Sequence, residues 1–153
     1  MKTNSIGSIE EYIEQNGYIV QTASGNSMFP LLRNRKDEVV IDKVSRPLKK
    51  YDVPLYKAEK GSGYILHRII KIKDGKYIIR GDNTYKKELW VTDNHIVGVL
   101  SGFYRNGQYH SVEDKGYKFY VKMNMLFYPL RLVYFKCKRA LRWIVLKIIR
   151  KDK

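Results

Sequence analysis

Tyr64-Ile-Leu-His-Arg-Ile-Ile-Lys-Ile-Lys-Asp-Gly-Lys-Tyr-Ile-Ile-Arg-Gly-Asp-Asn83 has the clearest β-hairpin pattern in the chain. Two runs rich in Ile and Tyr, 64–73 and 76–80, flank Asp74-Gly75, a dipeptide suited to the positive φ angles of a two-residue hairpin turn. On either side, residues 18–23, 38–44, 53–57, 95–105 and 108–112 have the same β-forming composition and are divided by turn residues, and Asn106-Gly107 marks a second hairpin. Strands this short and numerous predict a mainly β fold, a coiled, barrel-like antiparallel sheet. Upstream, Ser8 and Glu11 form a capping-box pair and Asn16-Gly17 supplies a stop, which predicts a short N-terminal helix over 1–16.

Beyond residue 114 the chain changes character. Residues 115–153 hold twelve Lys or Arg and one acid, so most of the net charge of +15 lies in the last quarter of the 153 residues. Val133, Cys137, Ala140, Leu141, Ile144 and Ile148 recur at helical spacing, while Arg131, Arg139, Arg142, Lys147 and Arg150 fall on other faces. Pro129 suits the first turn of that helix and separates it from an aromatic stretch over 117–128. The organisation expected is therefore an N-terminal helix (1–16), a β domain (17–114) and a basic amphipathic helical tail (115–153).

Cys137 is the single cysteine, which excludes an intrachain disulfide, and neither Cys spacing nor His clustering suggests a metal site. No metal, nucleotide or other cofactor is expected. The start, Met1 to Gly7, carries no apolar leader, and no 18-residue uncharged run exists to span a bilayer, which predicts a chain on the cytoplasmic side of the membrane.

The chemistry-bearing residues begin with Ser27, in Ser24-Gly-Asn-Ser-Met-Phe-Pro30. A hydroxyl is a weak nucleophile at neutral pH and needs a neighbouring base. Ser27 follows a strand, on a turn marked by Gly25, with Met28 and Pro30 beside it; His67 lies forty residues on, in an apolar strand. Imidazole is the usual general base near neutrality. A histidine between isoleucines also suits a satisfied, half-buried position, and Gly-Asp-Asn is also a common turn. His95 and His110 lack comparable surroundings and rank below His67. An acid returning after the hairpin could orient the imidazole, and Asp82 and Glu88 are both candidates.

In order along the chain, Ser24-Gly-Asn-Ser-Met-Phe-Pro30, Leu48-Lys-Lys-Tyr-Asp52, Leu66-His-Arg-Ile69, Gly81-Asp-Asn83 and Ile96-Val-Gly98 resemble the successive boxes of the signal peptidase I and LexA-like serine peptidase superfamily, over roughly residues 17–100. Histidine at position 67 resembles the endoplasmic-reticulum and archaeal type. The resemblance implies a coiled antiparallel β core, Ser27 as nucleophile, His67 as general base, an acid in the Gly81–Glu88 segment as orienting group, and oxyanion or substrate contacts from Gly25, Asn26, Met28 and Pro30. The chain departs from the family pattern in several places. Gly25 stands where bacterial signal peptidases carry a serine, so backbone N–H groups such as that of Ser27 are expected to form the oxyanion hole. Tyr51-Asp52 replaces a Gly-Asp pair, and Pro54 predicts an edge or a bulge.

The expected function is a serine endopeptidase that cleaves a signal-peptide-like or leader-peptide-like precursor, associated with the cytoplasmic membrane. Residues 117–151 are expected to meet an anionic membrane surface, in preference to nucleic acid. The alternative is a catalytically inactive peptidase-fold module that binds membrane or nucleic acid through its basic helix.

Overall fold

Ser8 accepts from the Glu11 N–H (3.3 Å) and Glu11 reaches back to the Ser8 N–H (3.1 Å), closing the capping box at the start of α1 (Ile9–Asn16). Gly17 ends the helix at φ 82°, where its N–H bonds the Ile13 carbonyl. The computed structural model describes residues 8–59 and 63–151, with side chains as far as residue 143. The chain divides into two units, Met1–Lys118 and Phe119–Lys153.

The first unit is mainly β. β1 (Tyr18–Thr22), β2 (Glu38–Asp42), β3 (Pro54–Lys57), β4 (Tyr64–Leu66), β8 (Ile96–Arg105) and β9 (Gln108–Ser111) make a curled six-stranded antiparallel sheet in the order β1-β2-β8-β3-β4, with β9 pairing β8. β5 (Arg68–Lys73), β6 (Lys76–Arg80) and β7 (Glu88–Val91) form a second, three-stranded sheet. The two hairpin turns form where the sequence places them: Asp74 and Gly75 have φ 50° and 69°, Asn106 and Gly107 φ 52° and 79°. Leu48, Tyr56, Ile69, Tyr77, Ile79 and Val91 are buried together, joining side chains from both sheets in one core. α1 buries Ile13 over β8 at Gly98, where an added Cβ would lie 2.5 Å from Ile41 Cγ2 and 3.4 Å from Ile13 Cδ1.

One expectation is corrected, and two others are made specific. The run 64–73 is two strands, because the chain leaves one sheet at Leu66 and enters the other at Arg68, with His67 between them. β3 is an interior strand between β8 and β4; Pro54 occupies its first position, where no ladder N–H is required, and the bulge falls between Leu55 and Tyr56. The stretch 117–128 is mostly helical: α2 (Lys115–Leu126) crosses the boundary between the units, and α3 (Tyr128–Lys151) follows with Pro129 in its first turn. Ile144, Lys147, Ile148 and Arg150 lie beyond the described side chains.

The loop between β1 and β2 carries Ser27 and is closed at its base. The Ala23 N–H bonds the Asp37 carbonyl (2.9 Å) and the Arg35 N–H bonds the Ala23 carbonyl (2.8 Å). Met28, Leu31 and Leu32 are buried beneath it. Asp37, fully buried, accepts from the Arg33 N–H and guanidinium (2.9 and 2.8 Å) and from Arg105 (2.7 Å), and Arg105 also bonds the Leu31 carbonyl (2.7 Å). Burial alone would raise this carboxyl, but the bonds from Arg105 and Arg33 reverse that and hold it at about 2, against 3.8 for an ordinary aspartate.

A folded-state value below the unfolded one gives stability that is complete above pH 3.8 and is lost as pH falls through about 2. Asp37→Asn is expected to cost about 2 kcal/mol at neutral pH and to flatten the acid limb. Denaturant unfolding of both proteins between neutral pH and the acid end of that window measures it.

Candidate active site

His67 is buried at the crossing between β4 and β5, and its two ring nitrogens face different neighbours. Nδ1 lies 3.1 Å from Glu88 Oε2 and 3.3 Å from the Tyr56 hydroxyl. The Tyr56 hydroxyl donates to the same carboxylate oxygen at 2.5 Å. A carboxylate only accepts, so the bond to Glu88 places a proton on Nδ1 and leaves the lone pair of a neutral ring on Nε2. Burial pushes the Glu88 carboxyl up, but the hydrogen bonds from His67 and Tyr56 outweigh it and hold the group below its ordinary value. Burial, then the bond to Glu88, pushes the Tyr56 hydroxyl up, so it stays protonated as a donor.

Nε2 faces the serine segment. A Cβ added at Gly81 would lie 3.0 Å from His67 Nε2 and 2.6 Å from the Ser27 carbonyl oxygen, so both approach one glycine within the width of a methyl group. Asn83 completes the attachment: its N–H bonds the Ser27 carbonyl (2.7 Å) and its side-chain amide bonds the Asn26 carbonyl (3.1 Å). Ser27 and His67 line one groove of about 450 Å³ with Gly25 and Met28. Among the described residues no hydrogen bond engages the Ser27 hydroxyl, so the Ser27–His67 bond is not closed in this conformation. Catalytic hydrogen bonds are commonly loose before substrate arrives.

Asp82 has a different partner from Glu88. Both its oxygens accept from Arg68 (2.8 and 2.7 Å), and the two side chains are fully buried. Arg68 also donates to the Tyr51 carbonyl (3.0 Å) and the Tyr117 hydroxyl (2.9 Å). Of the two candidate acids, Glu88 therefore sits against the imidazole, while Asp82 ties the residue after His67 to the residue after Gly81. Tyr51 has φ 81°, a region costly for a bulky side chain, at the position where the family resemblance expects glycine.

The remaining expectations separate by location. The Gly25 N–H is taken by Asn34 Oδ1 (2.9 Å), so Gly25 contributes shape at φ 88° and not that donor. Met28 is buried at the groove, whereas Asn26 and Pro30 are exposed and do not line it. His95 Nδ1 accepts from the Thr92 N–H (3.1 Å) and its ring meets Trp90 edge-on at 4.8 Å; His110 stacks on Phe103 at 5.2 Å. Both have structural partners outside the groove. Among the described residues no cluster of three His, Cys, Asp or Glu could hold a metal.

Sequence reading missed Tyr56, Arg68 and Asp37. Arg68 carried a signal: a cation inside the apolar run Ile65 to Ile70 needs a buried acid, and Asp82 is that acid. Tyr56 carried none, because its neighbour Glu88 is 32 residues away on a strand that the sequence did not reveal.

No protein-family model matches the chain, and no curated protein matches it.

Gly81→Ala forces the Ser27 carbonyl and the His67 ring apart and is expected to cost about 2 kcal/mol in denaturant unfolding. Gly63→Ala, where an added Cβ meets nothing within 4 Å, is the control and should change stability by less than about 0.5 kcal/mol.

Proposed function

We propose that the protein is a serine endopeptidase that acts on an extended segment of a peptide or protein precursor. One observation carries the reading: Glu88 holds His67 by Nδ1 while Nε2 is turned toward the Ser27 segment around Gly81. That is the acid–base–nucleophile order of a serine hydrolase, in which the acid fixes the tautomer and the far nitrogen accepts the serine proton.

The groove supports an extended substrate. Its walls include Gln21 and Thr22 from β1 and Tyr64, Ile65 and Leu66 from β4, the strands at the two ends of the β1-β2-β8-β3-β4 order. Each presents an open ladder that a peptide can join, and Val39, Ile41 and Leu55 give the groove an apolar floor. Resemblance to the histidine-using signal peptidases adds small side chains near the scissile bond and a signal or leader peptide as substrate class.

Chemistry follows from the placements. Ser27 Oγ attacks the carbonyl carbon as His67 Nε2 takes its proton, and the carbonyl oxygen becomes an oxyanion stabilised by backbone N–H groups of the Ser27 turn. His67 passes the proton to the leaving amine, giving an ester on Ser27 and a free amino terminus. Water then attacks the ester, losing a proton to Nε2, which returns it to Ser27. Glu88 keeps its charge throughout and stabilises the imidazolium; Tyr56 holds Glu88.

Digestion of a library of extended peptides bearing small residues at alternate positions tests this. Cleavage is expected with the native chain, a fall of about a thousandfold or more for Ser27→Ala and His67→Ala, and about a hundredfold for Glu88→Gln. Cleavage that survives Ser27→Ala ends the proposal.

A further inference from the structure

We infer that α3 is an interfacial helix that lies on an anionic lipid bilayer, a property independent of the peptidase reading. At about 100° per residue, Leu130, Val133, Tyr134, Cys137, Ala140 and Leu141 fall within an arc of about 120° that holds no charge between residues 128 and 143. All six are exposed: Leu130 at 65%, Val133 and Tyr134 at 58% and Leu141 at 63%. An apolar face of this breadth on a helix about 36 Å long is a large surface to leave in water.

Charge selects the occupant. Lys138 and Arg131 fall along one border of the face and Lys136 along the other, with Arg139 and Arg142 behind, and residues 115–151 contain no acid. A second copy would bring like charges together along both borders, where paired helices place opposite ones. Nucleic acid would use the cations but leave the apolar face unsatisfied. An anionic bilayer takes both features at once, with the apolar arc sunk at the acyl boundary and the basic borders among the headgroups. Lys138 lies over the Tyr134 ring at 6.0 Å, an amphipathic pair at the edge of the arc, where a bilayer interface places such residues. Among the described residues no helix is long and apolar enough to cross a membrane, so α3 is assigned to the surface.

The single cysteine sits inside the arc and allows a direct test on the full chain. Cys137 is labelled with a polarity-sensitive fluorophore, and the protein is mixed with phosphatidylcholine vesicles with or without about a third phosphatidylglycerol. The expected results are a blue shift on the anionic vesicles only, partitioning at least about tenfold stronger than to neutral ones, and weakening by about tenfold when salt rises from about 0.05 to 0.5 M. Leu141→Asp should abolish the shift. Replacing Lys138, Arg139 and Arg142 with Gln should lower anionic binding while helix content, read by circular dichroism, stays unchanged. Equal binding to both vesicle types, or binding unchanged by both variants, overturns the proposal. So does a blue-shifted label without vesicles, or binding to a mixed-sequence RNA that survives Leu141→Asp.

Discussion

The fully buried ion pair between Arg68 and Asp82 is the constraint on which the site depends. Arg68 follows His67 and Asp82 follows Gly81, so the pair sets the distance between the imidazole and the glycine on which it rests. The same guanidinium binds the Tyr51 carbonyl and the Tyr117 hydroxyl, joining four chain segments at one charge. Burial opposes the charge of Arg68, but Asp82 and then Tyr117 outweigh it and hold the arginine firmly protonated. Such a pair adds little net stability over apolar side chains, yet losing one partner strands a buried charge at a cost of about 3–5 kcal/mol. It fixes geometry more than it stabilises.

Around that pair, each residue of Gly81-Asp82-Asn83 has a distinct physical duty. Gly81 lacks the Cβ that would strike Ser27 and His67, Asp82 neutralises Arg68, and Asn83 holds the Ser27 and Asn26 carbonyls. Glu88, seven residues beyond Gly81, opens the next strand against the imidazole. One hairpin connection thus fixes nucleophile segment, base and orienting acid together. The serine loop is held independently from its other side by Asp37 with Arg33 and Arg105. The nucleophile is braced at both ends of its turn.

Local chemistry made much of this legible. The α1 capping box and both Asp-Gly and Asn-Gly hairpins depend on neighbours within a few residues, and they form where the sequence puts them. The break at His67 was not legible, because one apolar run serves two sheets and only tertiary pairing divides it. β7 was hidden for the same reason: Glu88 to Val91 is short and follows a lysine pair, so composition alone reads as loop. The two candidate acids could not be told apart by spacing. What separates them is that Arg68 takes Asp82, and that follows from the side of the strand to which a residue after a crossover points.

The proposed peptidase chemistry requires that Ser27 be a nucleophile activated by His67. Intact-mass analysis after exposure to a serine-directed acylating probe, with the adduct located by peptide mapping, tests it most directly. The account predicts one acyl group on Ser27, formed by the native chain and lost in both Ser27→Ala and His67→Ala. An adduct elsewhere, no adduct, or one whose rate is unchanged in His67→Ala would contradict it.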